Sequence, residues 1–164
     1  AKALHCVIGA GIIKTPGSYR TIAVQAAQST VAYALPAQIS VRMDTLFEWV
    51  RSRVDEANSK TDAVDRADFM FRVGAVFFSE FLLIHPFANG NGRTARLLLS
   101  FFLLNITTVP LSLSVSSPSH TPRDIYISTL EARNDDSPPS LLATLILRSA
   151  TIASSTIGYL LEME

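Results

Sequence analysis

The chain has 164 residues, enough for one domain with a full-sized hydrophobic core. Its 14 basic and 14 acidic residues balance, which argues against bulk electrostatic attraction to nucleic acid or to an acidic membrane surface. A single cysteine, Cys6, excludes an internal disulfide, and an apolar fraction of 48% predicts that several elements are buried on most sides.

The N-terminal region combines a predicted helix with a predicted hairpin. Residues 1–13 are mostly apolar and predict a helix. Pro16 and Gly17 mark a turn. Residues 21–34 carry β-branched residues on both sides of a polar "QS" centre, which predicts a short hairpin with weak turn chemistry.

Helical periodicity begins at Ile39, from which apolar residues fall on one face as far as Val54. Residues 62–84 predict a second helix, and the later part of it is apolar nearly all round, as is typical of a central buried helix. Pro86 stops that helix, and a third helix is expected over residues 92–104.

Two further helix starts are predicted near the C-terminus, at residues 121–124 and 137–140, where Ser or Thr precedes Pro. The most apolar runs are too short to span a membrane or are interrupted by Arg148. The sequence therefore predicts an all-α single domain over residues 1–164 with one small hairpin. Because no targeting segment or initiating Met is visible, we expect it to be a fragment or processed form of a longer protein.

The stretch "HPFANGNGRTARLLL", residues 85–99, places polar side chains between two apolar helices. Gly90 and Gly92 allow the backbone to turn sharply, and the loop opens a helix whose first N–H groups are unpaired. An anion such as phosphate is the natural occupant. Arg93 and Arg96 would add forked hydrogen bonds to further phosphate oxygens, which favours a di- or triphosphate.

His85 precedes this loop, where a neutral imidazole can accept a proton from an incoming hydroxyl. The amide oxygen of Asn89 can ligate Mg²⁺, though less strongly than a carboxylate. Each feature also has a structural interpretation, since histidines are often hydrogen-bonded structural residues, glycines often cap helices and arginines often lie on the surface. A metal site at His85 is disfavoured because His5 and His120 are distant in sequence; we expect these two to be structural or surface residues and Cys6 to lie in the core.

The same stretch resembles the signature of the Fic family, H-P-F-x-[D/E]-G-N-G-R-x-x-R, at every specified position except Asn89. The segments "PGSYR", "MDTLFEWV" and "YISTLEARNDD" also resemble the order seen in eukaryotic Fic domains, including the endoplasmic-reticulum enzymes of animals. The resemblance covers most of residues 15–164, loosely outside the motif. It implies a Fic-type helical core with a short β-hairpin flap, and transfer of AMP from ATP to a hydroxyl side chain of a target protein.

The resemblance also implies roles for individual residues. His85 would be the base that deprotonates a target Ser, Thr or Tyr, Phe87 would anchor the loop in the core, and Asn89 would take the place of the Mg²⁺ ligand. The implied nucleotide site comprises Asn89, Gly90, Asn91, Gly92, Arg93, Thr94, Arg96, Tyr126 and Asn134, with the arginines on the β- and γ-phosphates and the last two residues at adenine. The implied flap that holds the target comprises Thr30, Val31, Ala32 and Tyr33.

Two departures from the family pattern bear on activity. Asn89 replaces an acidic metal ligand, which puts metal affinity and turnover in question. Many Fic proteins also carry an inhibitory helix, [S/T]-x-x-x-E-[G/N]; residues 52–57 approach it but fail at Ala57, so in the parent protein such a helix would lie upstream of Ala1.

In eukaryotic relatives, hydrolytic removal of AMP relies on the glutamate of that helix, so AMP transfer is the leading hypothesis. The alternatives are AMP removal by the intact parent protein, a catalytically weak nucleotide- or target-binding module, and transfer of UMP or phosphocholine.

The expected partners are ATP, Mg²⁺ and a hydroxyl-bearing target protein, and no nucleic acid is expected. The sequence barely constrains the oligomeric state and is compatible with a homodimer. It does not fix the compartment, which would be the cytoplasm, or the endoplasmic-reticulum lumen if the protein is like its animal relatives.

Overall fold

The computed structural model describes residues 1–25, 31–107, 109–111, 113 and 140–161. Within these ranges five helices form and no strand does. The helices are α1 (Lys2–Gly9), α2 (Ile39–Asn58), α3 (Ala63–Ile84), α4 (Asn91–Thr107) and α5 (Ser140–Leu161), and a 3₁₀ turn over Pro36–Gln38 leads into α2. The predicted all-α architecture is confirmed.

Helix α3 is the centre of the domain and contacts α2, α4 and α5. Its start is fixed by Asp62, whose carboxylate accepts the N–H groups of Val64 and Asp65, each at 2.8 Å. Because its second half is apolar nearly all round, it can pack against three neighbours at once. Its phenylalanines in that half are buried: Phe77, Phe78 and Phe81. The prediction of a central buried helix that ends before Pro86 is confirmed.

The helices around α3 each turn an apolar stripe toward it. In α5 the stripe has a spacing of four residues, Leu142, Ile146 and Ala150, which is the helical repeat of one face. In α4 it includes Leu99 and Leu103, both fully buried. Because α3 and α4 are both packed into one core, the loop that joins them rests on two fixed supports.

The hairpin predicted over residues 21–34 is not seen in the described residues. Part of that stretch lies outside them, and the flanking residues make a single antiparallel bridge between Gln25 and Ala32. The segment after the bridge is tied to the end of α3, since the Ala34 N–H donates to the Leu83 carbonyl at 3.1 Å. The described residues of this stretch that follow the bridge therefore border the α3–α4 loop.

Near the C-terminus, the helix predicted from residues 121–124 lies outside the described residues. The last helix, predicted to open over residues 137–140, begins at Ser140. Among the described helices, none combines the length and the apolar character that a bilayer crossing requires.

Candidate functional site

His85 ends helix α3 and begins the loop that leads to α4. Its backbone is left-handed, with φ 49° and ψ 59°, and its N–H donates to the carbonyl of Phe81 at 3.0 Å. A residue with a side chain rarely adopts this conformation, and the local strain persists only when the surroundings hold it. Arg20 supplies part of that support, because its Nε donates to the His85 carbonyl at 2.7 Å. His85 is thus fixed between the helix and the loop.

The imidazole of His85 is arranged as a neutral base. Its Nδ1 lies 3.3 Å from the carbonyl oxygen of Leu82, which only accepts, so the ring proton belongs on Nδ1 and the lone pair on Nε2. Tyr33 stacks on the ring, with centroids 4.0 Å apart and planes 21° apart. Burial is the main cause that lowers the pKa of His85 to about 4; the Leu82 hydrogen bond opposes it, and the charge of Arg20 adds a smaller reduction. At pH 7 the ring is neutral, with Nε2 as the proton acceptor.

The loop after His85 is locked onto the core by Asn91 and Phe87. The Asn91 side chain is buried and makes two reciprocal bonds to the backbone of Phe87: Oδ1 accepts its N–H at 2.9 Å, and Nδ2 donates to its carbonyl at 2.7 Å. The Phe87 ring is fully buried among the rings of His5, Tyr19 and Phe81. Asn91 can therefore contribute to the predicted nucleotide site through its backbone rather than its amide group.

Asn89 and Gly90 form the tip of the loop. Asn89 is exposed, and its Oδ1 accepts the Gly90 N–H at 2.7 Å. Gly90 has a φ of 77°, and an added Cβ would lie 3.0 Å from Cδ1 of Ile13 and 3.3 Å from Nε2 of His5. Both the backbone conformation and the close packing therefore require glycine at this position.

A nucleotide-bound Mg²⁺ is compatible with this loop, because Oδ1 of Asn89 keeps one lone pair after accepting the Gly90 N–H. Proteins usually hold this ion through one or two side-chain oxygens together with substrate phosphates and water. Among the described residues, no group of three His, Cys, Asp or Glu side chains could hold a metal by itself. Any Mg²⁺ at Asn89 would thus depend on phosphate oxygens for most of its ligands.

The start of α4 combines unpaired N–H groups with two cations. Thr94 is fully buried and closes the turn, since its N–H and hydroxyl both donate to the Gly90 carbonyl at 3.0 Å. Arg93 is exposed, and Nη1 of Arg96 reaches back over the helix start, 3.6 Å from the position of a Cβ on Gly92. In the described part of the chain neither arginine has an acidic partner. The helix start therefore presents an uncompensated positive charge to an anion.

The remaining predicted site residues differ in where they fall. Val31 is buried, Ala32 pairs with Gln25, and Tyr33 contacts the His85 ring, so part of the predicted flap does border His85. Three predicted residues lie outside the described ranges: Thr30, Tyr126 and Asn134.

Sequence reasoning missed Arg20, which is buried at the centre of the site. Besides the His85 carbonyl, its guanidinium donates to the carbonyls of Ile22 at 2.8 Å, Ile84 at 3.3 Å, and Ala34. It thereby joins the end of α3 to the segments on both sides of the Gln25–Ala32 bridge. The available signal was its place in the "PGSYR" segment, one of the stretches that resemble eukaryotic Fic domains.

The contacts of His5 could not be predicted from the sequence either. This residue is 1% exposed and stacks on Phe87, with centroids 3.7 Å apart and planes 3° apart. Its ring nitrogens contact Asn89 and Gly17, which are 84 and 12 residues away in the chain. The expectation that Cys6 lies in the core is wrong: Cys6 is exposed, because α1 turns the preceding His5 inward.

Comparison with known proteins agrees with this geometry. A model of the Fic/DOC family matches residues 1–103. Protein adenylyltransferase fic-1 of Caenorhabditis briggsae is 27% identical over 114 residues, which cover 70% of this chain and 20% of that protein. The fic-1 protein of Caenorhabditis elegans is 27% identical over 95 residues, or 58% of this chain and 17% of that protein. The chain thus spans a fifth or less of the length of these relatives.

The fold has a counterpart among solved structures. The crystal structure of a Fic family protein from Desulfovibrio desulfuricans G20 matches with a TM-score of 0.68 and 22% identity, over 94% of this chain and 46% of that chain. This likeness concerns the fold alone. The family match is the stronger finding, since residues 1–103 are more than half of the 164 and include His85, the glycine loop and both arginines. The chain belongs to the Fic/DOC family.

Proposed function

We propose that the chain transfers AMP from ATP to a Ser, Thr or Tyr hydroxyl of a target protein. The observation that carries the proposal is a neutral, desolvated His85 at the start of the short loop into α4, whose start presents Arg93 and Arg96 without acidic partners in the described residues. The Caenorhabditis relatives are named protein adenylyltransferases, which supports the same chemistry. ATP, the target protein and Mg²⁺ are parts of this proposal.

In the proposed reaction, the target hydroxyl attacks the α-phosphorus of ATP. A new bond forms between the hydroxyl oxygen and that phosphorus, the bond to the β-phosphate bridging oxygen breaks, and pyrophosphate leaves. Nε2 of His85 accepts the hydroxyl proton and later passes it to water. The N–H groups at the start of α4, with Arg93 and Arg96, would hold the β- and γ-phosphates and balance the charge that collects on the leaving group.

A pKa of about 4 keeps the His85 ring neutral but makes it a weak base in the free protein. A bound polyphosphate would place several negative charges beside the ring, and nearby negative charge favours the protonated form. We therefore expect ATP to raise the pKa of His85 toward neutrality, so that the base gains strength when the substrate is in place.

Mg²⁺ would act on the nucleotide by neutralising phosphate charge. Asn89 would contact it through the lone pair of Oδ1 that the Gly90 N–H does not use. Because this ligand is a neutral amide, we expect the ion to bind more weakly than it would at a carboxylate.

The test is transfer of radioactive label to protein, with ATP labelled at either the α- or the γ-phosphate. Label from the α-position alone supports adenylyl transfer, whereas label from the γ-position would indicate a kinase-type reaction and overturn the proposal. His85→Ala should abolish labelling, since a general base is worth about 10²–10⁴-fold, while ATP binding measured by calorimetry stays nearly unchanged. A His85→Ala protein that labels at the wild-type rate would refute the assigned role.

A second candidate function is a module that binds nucleotide or target with little turnover. The neutral Asn89, with its amide oxygen already engaged by Gly90, favours it, because the metal contact is then the weakest part of the site. The same experiment separates the two functions. ATP binding by calorimetry without α-label transfer, at any Mg²⁺ concentration and with a cell lysate as the source of targets, would favour the binding module.

A further inference from the structure

His5, in helix α1, makes two contacts with the loop between α3 and α4 and a third with the turn at Gly17. Its ring stacks on Phe87, its Nδ1 lies 2.8 Å from the backbone nitrogen of Gly17, and its Nε2 lies 3.0 Å from the backbone oxygen of Asn89. The Gly17 N–H can only donate, so Nδ1 is the acceptor. The proton of the neutral ring is therefore on Nε2, which donates to the Asn89 carbonyl. The two hydrogen bonds together specify one tautomer of His5.

The Asn89 carbonyl belongs to the same peptide unit as the Gly90 N–H. Because a peptide unit is planar and trans, its oxygen and its N–H point in opposite directions. A hydrogen bond from His5 that fixes the oxygen therefore also fixes the N–H, which is found on Oδ1 of Asn89 at 2.7 Å. The rotation of this one peptide unit sets the path of the backbone into α4, where the N–H groups of the proposed phosphate site begin.

The packing around Gly90 leaves little space for another orientation of the Asn89–Gly90 peptide unit. A Cβ at Gly90 would lie 3.3 Å from Nε2 of His5 and 3.0 Å from Cδ1 of Ile13, so the N-terminal segment packs directly on the loop backbone. Glycine can adopt either sign of φ at little cost, and the glycine loop therefore gains its single conformation from outside contacts. The Asn89–Gly90 peptide makes one hydrogen bond to the side chain of Asn89 itself and one to a residue outside the loop, Nε2 of His5.

We propose that His5 is a positioning residue, which uses its Nε2–H to hold the Asn89–Gly90 peptide in the orientation needed for phosphate transfer. This inference rests on the proposed adenylyl transfer for its kinetic consequences. Misplacement of reacting groups by about 1 Å can cost on the order of 10²-fold in rate. Loss of the His5 bond should accordingly lower kcat by about 10- to 100-fold, while KM for ATP changes little because Arg93 and Arg96 remain.

Three substitutions separate the contacts of His5 in the 164-residue chain. His5→Phe keeps a ring that can stack on Phe87 but has no hydrogen bonds. His5→Gln places an amide N–H at about the reach of Nε2, and His5→Asn places an amide oxygen at about the reach of Nδ1. If the bond to Asn89 positions the loop, the glutamine variant recovers most of kcat and the asparagine and phenylalanine variants do not. Val7→Ala, on the exposed face of the same helix, is the control and should leave kcat and Tm near wild type.

Amide hydrogen exchange of Gly90, followed by NMR in the nucleotide-free protein, tests the positioning without reference to activity. The Gly90 amide should be protected in the wild type and in His5→Gln, and should lose protection in His5→Phe and His5→Asn. Unchanged protection in His5→Phe would overturn the inference whether or not the protein transfers AMP. If kcat in all three variants fell only in proportion to the loss of Tm, the role of His5 would be purely structural. That result would also overturn the inference that His5 positions the loop. If the wild type shows no transfer, the exchange result alone decides the inference and the proposed function fails separately.

Discussion

Replacement of His85 by Gln should change how the stability of the protein depends on pH. Glutamine is polar and of similar size but does not titrate between pH 5 and 8. In the unfolded chain the imidazole takes up a proton near its ordinary pKa of 6.5, whereas in the folded protein the pKa is lowered to about 4. Between these two values only the unfolded state is protonated, so protonation stabilises the unfolded state. The contribution of His85 to stability is therefore complete above pH 6.5 and is lost as the pH falls toward 4.

The magnitude follows from the two pKa values. The full difference between 6.5 and about 4 corresponds to roughly 3 kcal/mol, reached near the folded-state pKa. Between pH 7 and pH 5 the same relation gives about 2 kcal/mol, in a range where most carboxylates have not yet been protonated. Acid should thus destabilise the wild type by about 2 kcal/mol more than His85→Gln over this interval.

Urea unfolding of both proteins at pH 7, 6 and 5 measures this difference directly. The quantity compared is the change in the free energy of unfolding with pH within each protein. The loss of the Leu82 hydrogen bond in the variant therefore does not affect the comparison. Parallel loss of stability in the two proteins from pH 7 to pH 5 would refute the reasoning, because it would mean that the folded protein accepts a proton on His85 as readily as the unfolded chain does.

The remaining predictions concern the loop and the helix that follows it. Asn89→Asp should lower the Mg²⁺ concentration needed for half-maximal labelling, because a carboxylate binds the ion more strongly than an amide; a Mg²⁺ titration at fixed ATP checks this, and the same or weaker metal dependence would argue against a metal contact there. Arg96→Ala should weaken the binding of ATP much more than that of AMP, by roughly 1.5–3 kcal/mol for the lost charge-assisted bond; equal weakening in calorimetry would contradict its contact with the terminal phosphates. Gly90→Ala should destabilise the fold by more than Gly11→Ala, measured by chemical denaturation. Both glycines have positive φ, 77° and 71°, at a backbone cost of about 1–2 kcal/mol, but only at Gly90 would the new Cβ meet neighbours, while nothing lies within 4 Å at Gly11. Equal losses would show that Ile13 gives way freely.

Helices with long, regular patterns could be predicted from the sequence. The apolar surface all round the second half of α3 predicted its central place, and Asp62 and Pro86 predicted its bounds to within a residue. The hairpin over residues 21–34 was predicted from β-branched residues, but β-branching without a strong turn sequence does not determine strand pairing, and the described residues show a single bridge.

The candidate site also contains some residues that the sequence predicts and some that it does not, depending on whether their contacts are near or distant in the chain. The motif from His85 to Arg96 is contiguous, so the histidine, the glycine turn and the arginines at the helix start could be predicted to lie together. The supports of that motif could not, because Arg20 and His5 act through backbone groups as much as 65 and 84 residues away in the chain. A backbone carbonyl can accept a hydrogen bond whatever the side chain of its residue. The sequence therefore contains no pattern from which these hydrogen bonds could be predicted.

The acceptors of Arg20 in this structure, at Ile22, Ala34, Ile84 and His85, are all main-chain carbonyls, a group common to all twenty amino acids. Replacement of the Ile22 or Ala34 side chain leaves the acceptor in place, whereas no other residue offers five donors on a rigid, permanently charged plane. Related chains can therefore vary at these partners while retaining the arginine. A map of tolerated substitutions should show that Arg20 is intolerant while its exposed acceptor residue Ile22 accepts many side chains, and methods that infer contacts from paired changes in related sequences should fail to find this junction.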